Sequence, residues 1–274
     1  MKLLTLNTHS LAEEHYERKL EDFIAVIACE RPDIMALQEV NQEISAPSVK
    51  EIRLQRYVPC DPQAVIREGN HALRIAEGLS ARGIPYHWTW LPIKKGYGIY
   101  DEGVAILSLS PIGATDSITA SQTPDYDRWK TRRLLGIYTA RTWFYSVHFG
   151  WWDDREEPFA HQWARTAKHM CGKPRVFLMG DFNSPAERRN EGYDLVTGDG
   201  WYDTYTLAAA KDSGITICGR IAGWDHRSLP DTGARVDHIF CNYPCRVASS
   251  FILFNGTHTP VVSDHFGMMA TVEI

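Results

Sequence analysis

The sequence predicts an α/β chain in which two packed mixed sheets are covered on their outer faces by helices, and three observations predict it. Short apolar runs alternate irregularly with amphipathic helical patterns along all 274 residues. Hairpin-like connections are mixed with crossover ones, which suits layered sheets better than a single parallel sheet. One apolar run after another also stops at an oxygen-bearing or imidazole side chain.

The elements follow in chain order. Leu3 to Leu6 is an apolar run that stops at Asn7, and Tyr16, Leu20, Phe23, Ile24 and Ile27 then recur at helical spacing among charges, a strand feeding an amphipathic helix. Pro32 and Asp33 break that helix, and residues 34–37 form a second buried strand whose end delivers Gln38 and Glu39. Ala72, Ile75, Ala76 and Leu79 mark another helix, terminated near Gly83. Residues 86–90, 103–109, 134–140 and 142–148 read as strands of a meander, with turn signals at Ser110-Pro111 and Ile112-Gly113. Phe159, Trp163, Ala167 and Met170 mark a helix ended by Gly172, and residues 176–179 are a buried strand that stops at Gly180-Asp181. Residues 236–240, 249–254 and 267–272 supply the last strands.

Composition narrows the functional classes. Hydrophobic residues make up 44% and charged residues 23%, as in ordinary globular chains, which excludes disordered, collagen-like and coiled-coil proteins. Thirty-four acids against 29 bases leave a formal charge of −5, so a strongly basic nucleic-acid footprint is missing. The first residues hold too short an apolar run for a signal peptide core or a membrane span, and a cytoplasmic location is expected. Six scattered cysteines without a Cys-x-x-Cys pair or matching His spacing point to reduced thiols rather than zinc. No repeat and no linker-like tract interrupts the chain.

Asn7, Glu39, His148, Asp181 with Asn183, Asp237, and Asp264 with His265 all sit at or just beyond apolar runs. Alone, a strand ending in Asp reads as a turn or helix cap. Together they read as a site, because open sheets collect functional side chains at strand ends, where a rigid scaffold aims them into one crevice.

The Leu6-Asn7 start, Ala36-Leu37-Gln38-Glu39-Val40, Val147-His148-Phe149, Met179-Gly180-Asp181-Phe182-Asn183, Arg235-Val236-Asp237-His238-Ile239 and Ser263-Asp264-His265 resemble, in order, the motifs of the endonuclease/exonuclease/phosphatase superfamily. The resemblance spans nearly the whole chain. It implies a four-layer α/β/β/α sandwich of the DNase I type, a single domain over residues 1–274, and metal-dependent phosphoester hydrolysis. Two departures stand out: Val147 where Thr often precedes the His, and His238 where an apolar residue commonly follows the Asp. His238 adds an imidazole whose part in proton transfer stays open. Trp129-Lys130-Thr131-Arg132-Arg133, the run from Phe149 to Phe159, and Asp203-Thr204-Tyr205 further resemble the branch that contains maltose 6'-phosphate phosphatase.

Phosphoester hydrolysis requires neutralising the ester, aiming a water in line with the leaving oxygen and stabilising the alkoxide. Glu39, with Asn7 and Asp264, is expected to hold Mg²⁺ or Mn²⁺, since hard oxygen donors without thiolates favour these ions. Asp181 is expected to orient or deprotonate the water, Asn183 to donate to a nonbridging oxygen, and His265 to face the phosphate with Asp237 behind it fixing the imidazolium. His148 would be a second phosphate contact.

Loops must select the substrate. Trp151 and Trp152 offer faces for sugar rings, and the carboxylates after them can accept from hydroxyls; equally, the indoles are core and the acids cap the next helix. Lys130, Arg132 and Arg133 form a basic cluster suited to a localised phosphate dianion. The expected activity is that of a phosphomonoesterase on a small phosphorylated sugar such as maltose 6'-phosphate. A nuclease or other phosphodiesterase is the alternative, a membrane partner is not expected, and oligomeric state is left open.

Overall fold

A computed structural model describes residues 1–219, 221, 224 and 231–273. Among these residues thirteen strands build two sheets. In chain order they are β1 (Lys2–Asn7), β2 (Ile34–Glu43), β3 (His87–Gly96), β4 (Tyr100–Ser108), β5 (Ala114–Thr119), β6 (Arg133–Thr139), β7 (Thr142–His148), β8 (Val176–Asp181), β9 (Tyr202–Asp203), β10 (Ala208–Lys211), β11 (Asp237–Cys241), β12 (Arg246–Leu253) and β13 (Gly267–Glu273). The first sheet runs β10-β12-β13-β1-β2-β4-β3 and the second β5-β6-β7-β8-β11-β9. Helices α1 (Tyr16–Glu30), α2 (His71–Ala81), α3 (Phe159–Met170), α4 (Gly192–Gly198) and α5 (Thr204–Leu207), with short 3-10 turns at Ser10–Ala12 and Glu51–Arg53, complete the regular structure among the described residues.

Three layers of apolar contact make this an α/β/β/α sandwich. Leu3, Ala36 and Ile106 of the first sheet meet Ile137, Phe177 and Met179 of the second in the central layer. The opposite face of the first sheet, with Leu4, Leu37 and Trp90, is covered by the Leu20, Phe23, Ile24 and Ile27 stripe of α1 and by Leu73, Ile75 and Leu79 of α2. On the second sheet, Tyr145, Val147 and Leu178 pack against Phe159 and Trp163 of α3. Burial of each such side chain contributes roughly 1.5–3 kcal/mol. One polar tie crosses the central layer: Gln38 donates from Nε2 to Ser146 Oγ at 2.9 Å, and Ser146 donates to the Leu37 carbonyl at 3.0 Å. Among the described residues no helix is long and apolar enough to cross a membrane.

Strand β2 departs from expectation. Instead of ending before Glu39 it continues to Glu43, and its register against β4 shifts between Leu37 and Val40. Glu39 sits in that bulge at φ 52°, a left-handed conformation costly for a side chain with a Cβ. The bulge turns the carboxylate towards the mouth of the sandwich. Strand β3 likewise runs past its expected end, through Pro92, because it is an edge strand where a missing N–H breaks no ladder.

Two buried imidazoles give the fold an acid limit. Burial, then the Arg74 charge, lowers His71 to about 3, and burial, then Arg235, lowers His238 to about 4. Both favour the neutral form in the native state, so their stabilisation is complete above the unfolded value of 6.5 and is lost as pH falls towards 4. Each should remove roughly 1.4 kcal/mol per pH unit across that window. Urea unfolding from pH 7 to 4 measures this slope, and His71→Gln should flatten it; an unchanged slope would refute the account.

Candidate active site

Chain topology brings the polar residues to one end of both sheets. Asn7 ends β1, and His148 and Asp181 are directly paired at the ends of parallel β7 and β8. Asp237 starts β11, which runs antiparallel to β8, and so lies opposite Asp181. Asp264 and His265 precede β13 for the same reason; the expectation of strand ends therefore becomes strand starts for these three. The C-terminal segment is tied in by Ser263, whose Oγ donates to the Asn7 carbonyl at 2.7 Å.

Asp181 is the hub. Asn7 Nδ2 lies 3.2 Å from its Oδ2 and 3.0 Å from Glu39 Oε1, so one amide spans carboxylates from the two sheets. The backbone N–H of Asn183 donates to Asp181 Oδ1 at 2.8 Å, while His148 Nε2 and His265 Nε2 stand 3.6 and 3.8 Å from Oδ2. His265 Nδ1 donates to Asp237 Oδ2 at 2.9 Å.

The two imidazoles differ in charge. Burial opposes protonation of His265, but Asp237 and Asp181 outweigh it and raise it to about 10. Burial takes His148 far down, reinforced by the Arg132, Lys94 and His265 charges. One carboxylate thus has a cationic and a neutral imidazole beside it, an arrangement that separates proton-holding from proton-accepting roles. Asp181 itself is pushed up by burial, with His265 opposing and Asp237 adding. His238 stands apart: buried, it contacts Arg235 Nη1 at 2.8 Å and the Ser184 carbonyl at 2.9 Å, so it supports the loop after β8 rather than facing the cleft.

Glu39 opens onto an acidic corner. Burial raises its pKa, and the nearby Glu102 and Asp264 charges add to the effect. His9, Glu13 and Asp264 offer ligand atoms within 4.8 Å of one another at the same corner. Crowded carboxylates that repel one another, with no thiolate lining the cleft among the described residues, are the donor chemistry of a hard divalent cation.

The cleft, of about 280 Å³, exposes Asn7, Glu39, His148, Asp181, Asn183, Asp264 and His265 together. Of the five substrate-binding candidates it takes in Arg132 and Trp151 only. Lys130 is drawn to Asp154, 2.8 Å away, and lies over the Trp129 ring. Arg133 points to Asp61 and to the Pro92 carbonyl. Trp152 packs against the α3 layer. The loop acids are also spent internally: Asp154 accepts from the Glu156 and Glu157 N–H groups, and buried Glu157 accepts from Gln122 N–H. Replacing Arg133 by alanine should therefore change KM for a phosphate ester by no more than about twofold in steady-state kinetics, whereas a larger rise would return it to the site.

Sequence reasoning missed Lys94, Glu102, Tyr97, Trp129 and Trp224, all lining the cleft. Trp129 stood in a quoted motif, but its exposure and its partner Trp151, 6.0 Å away between ring centres, needed coordinates. Lys94 carried a signal, since it follows an apolar run and ends buried against Glu102 at 3.1 Å.

The endonuclease/exonuclease/phosphatase family model matches residues 4–265, with every motif residue above inside it. The chain belongs to this family. It is thereby a phosphoric ester hydrolase of the endonuclease/exonuclease/phosphatase type. No curated protein matches at a significant level. Among solved structures, a family member from Leptotrichia buccalis is 30% identical over all of both chains, with a TM-score of 0.87. A mannosyl-6-phosphatase from Bacteroides thetaiotaomicron is 15% identical over all of both chains, with a TM-score of 0.66. The 3' phosphatase NExo from Neisseria, bound to a product DNA hairpin, is 18% identical over all of both chains, with a TM-score of 0.62. The last two share the fold with this family member.

Proposed function

We propose that this family member is a Mg²⁺- or Mn²⁺-dependent phosphomonoesterase acting on a small phosphorylated sugar, with maltose 6'-phosphate as the first candidate. The observation that carries this reading is the arrangement of the cleft. Exposed Trp129 stands in the same small opening as buried Arg132 and the Asp181 hub, backed by Trp151 and Trp224, which are largely buried in an apolar cluster with Ile217 and Val236. The exposed Trp129 face suits the apolar face of a sugar ring, and a localised guanidinium suits a terminal phosphate. A net charge of −5 disfavours a long polyanion. The mannosyl-6-phosphatase from B. thetaiotaomicron shows that the fold accommodates a sugar phosphatase, and NExo that it accommodates DNA.

Glu39, Asn7 and Asp264 would hold the cation, which when bound neutralises phosphate charge and stabilises the departing oxygen. Asp181 orients the attacking water and takes its proton. His265, kept cationic by Asp237, faces the phosphate and stabilises the charge that builds on it. Asn183 uses one amide hydrogen on the Phe149 carbonyl at 2.9 Å and offers the other to a nonbridging oxygen, and neutral His148 is a second phosphate contact.

Chelator-treated protein, resupplied with Mg²⁺ or Mn²⁺, should regain turnover of maltose 6'-phosphate and glucose 6-phosphate and leave abasic-site duplex DNA largely intact. Rapid DNA cleavage without sugar phosphate turnover would overturn the proposal. Full activity in the chelator would remove the cation from it.

A further inference from the structure

Two buried cations remain at the rim of the mechanism just described. Arg132, 3% exposed, arrives in the loop before β6 and lines the cleft. Among the described residues its Nη1 makes only long contacts, 3.4 Å to the Trp129 carbonyl and 3.5 Å to that of Thr131, and its buried Nε meets no acceptor. Glu102, Asp181, Glu39 and Asp154 are near enough to act on it electrostatically, yet among the described residues none forms an ion pair with it. Lys94, 7% exposed, lines the same cleft from β3 and is held by Glu102, its cross-strand neighbour, at 3.1 Å.

A buried guanidinium with an unmade hydrogen bond costs several kcal/mol, and removing such a group in favour of an apolar one is commonly neutral or stabilising. The usual compensation is an anion, and this one opens onto the reacting centre. A phosphomonoester dianion carries two charges over three nonbridging oxygens; a diester carries one over two. The residues around Asp181 address what both esters share. Cations placed beyond them address the surplus oxygen and charge that only the monoester has.

We propose that Arg132, seconded by Lys94, binds the third nonbridging oxygen of a dianionic phosphate and thereby makes this cleft select monoesters over diesters. The inference rests on the phosphatase reading of the site, but it is independent of which sugar is attached.

Its test uses the full chain with Mg²⁺ and two generic esters, p-nitrophenyl phosphate and bis(p-nitrophenyl) phosphate. Arg132→Met should lower kcat/KM for the monoester about 100-fold and that for the diester by less than about fivefold, and Arg132→Lys should restore part of the monoester rate. Inorganic phosphate should raise the melting temperature of the wild type and not that of Arg132→Met, whose melting temperature without phosphate should equal or exceed the wild-type value. Parallel loss of both activities, a lowered melting temperature without phosphate, or an unaffected monoester rate would each overturn the proposal. A wild type that cleaves only the diester would instead defeat the phosphatase reading. The phosphate-dependent melting shift, and its fate in Arg132→Met, would then still decide whether Arg132 is a dianion site.

Discussion

Asp181→Asn should lower kcat about a thousandfold, the scale of losing a positioned base, while the protein keeps its fold. The asparagine can keep the oxygen that accepts from Asn183 N–H, so the turn after β8 has no reason to move. It presents an amide where a carboxylate now meets His148, His265 and Asn7, and an amide can neither take a proton from water nor hold the imidazolium of His265 from its Nε2 side. Steady-state kinetics on the best sugar phosphate, with thermal unfolding as the control for folding, measures the effect. A kcat within about tenfold of the wild type would show that another group activates the water.

Gly180→Ala should cost about 3 kcal/mol or more, the largest stability loss expected from one methyl group in this protein. Gly180 has φ 155°, and a Cβ there would lie 1.9 Å from the Val147 carbonyl oxygen, a backbone atom that cannot rotate aside. Relief requires β7 and β8 to separate at the point where His148 and Asp181 are paired, so activity should fall with stability. Denaturant unfolding reads the first effect and kcat the second. A loss below about 1 kcal/mol would mean that the strands part without cost.

The helices were readable because each has one wet and one dry face. The stripes of α1, α2 and α3 follow the 3.6-residue period, and the runs of β1, β7 and β8 are apolar because both faces of those strands are covered. Strand β5, with the sequence Ala-Thr-Asp-Ser-Ile-Thr, carries no such signal. It is half-exposed along an edge and exists through its pairing with β6. Short α4 had too few residues for a period, and the bulge at Glu39 leaves no mark that composition or alternation records. The basic cluster was the most misleading feature: Lys130, Arg132 and Arg133 diverge, because the first two lie in a loop without a fixed period while Arg133 opens β6.

The residue types proposed for the site were legible in the sequence: a carboxylate, amide or imidazole stands at or beside an apolar run at Asn7, Glu39, His148, Asp181, Asp237 and Asp264-His265, in motif order. Only the tertiary structure decided which of them meet, that burial and neighbouring cations drive His148 towards its neutral form, and that Arg132 rather than its neighbours enters the cleft. Contact between residues as distant as Asn7, Asp181 and His265 depends on sheet order and register, and a pKa depends on burial and on charges from other strands. Neither quantity exists until the layers have packed.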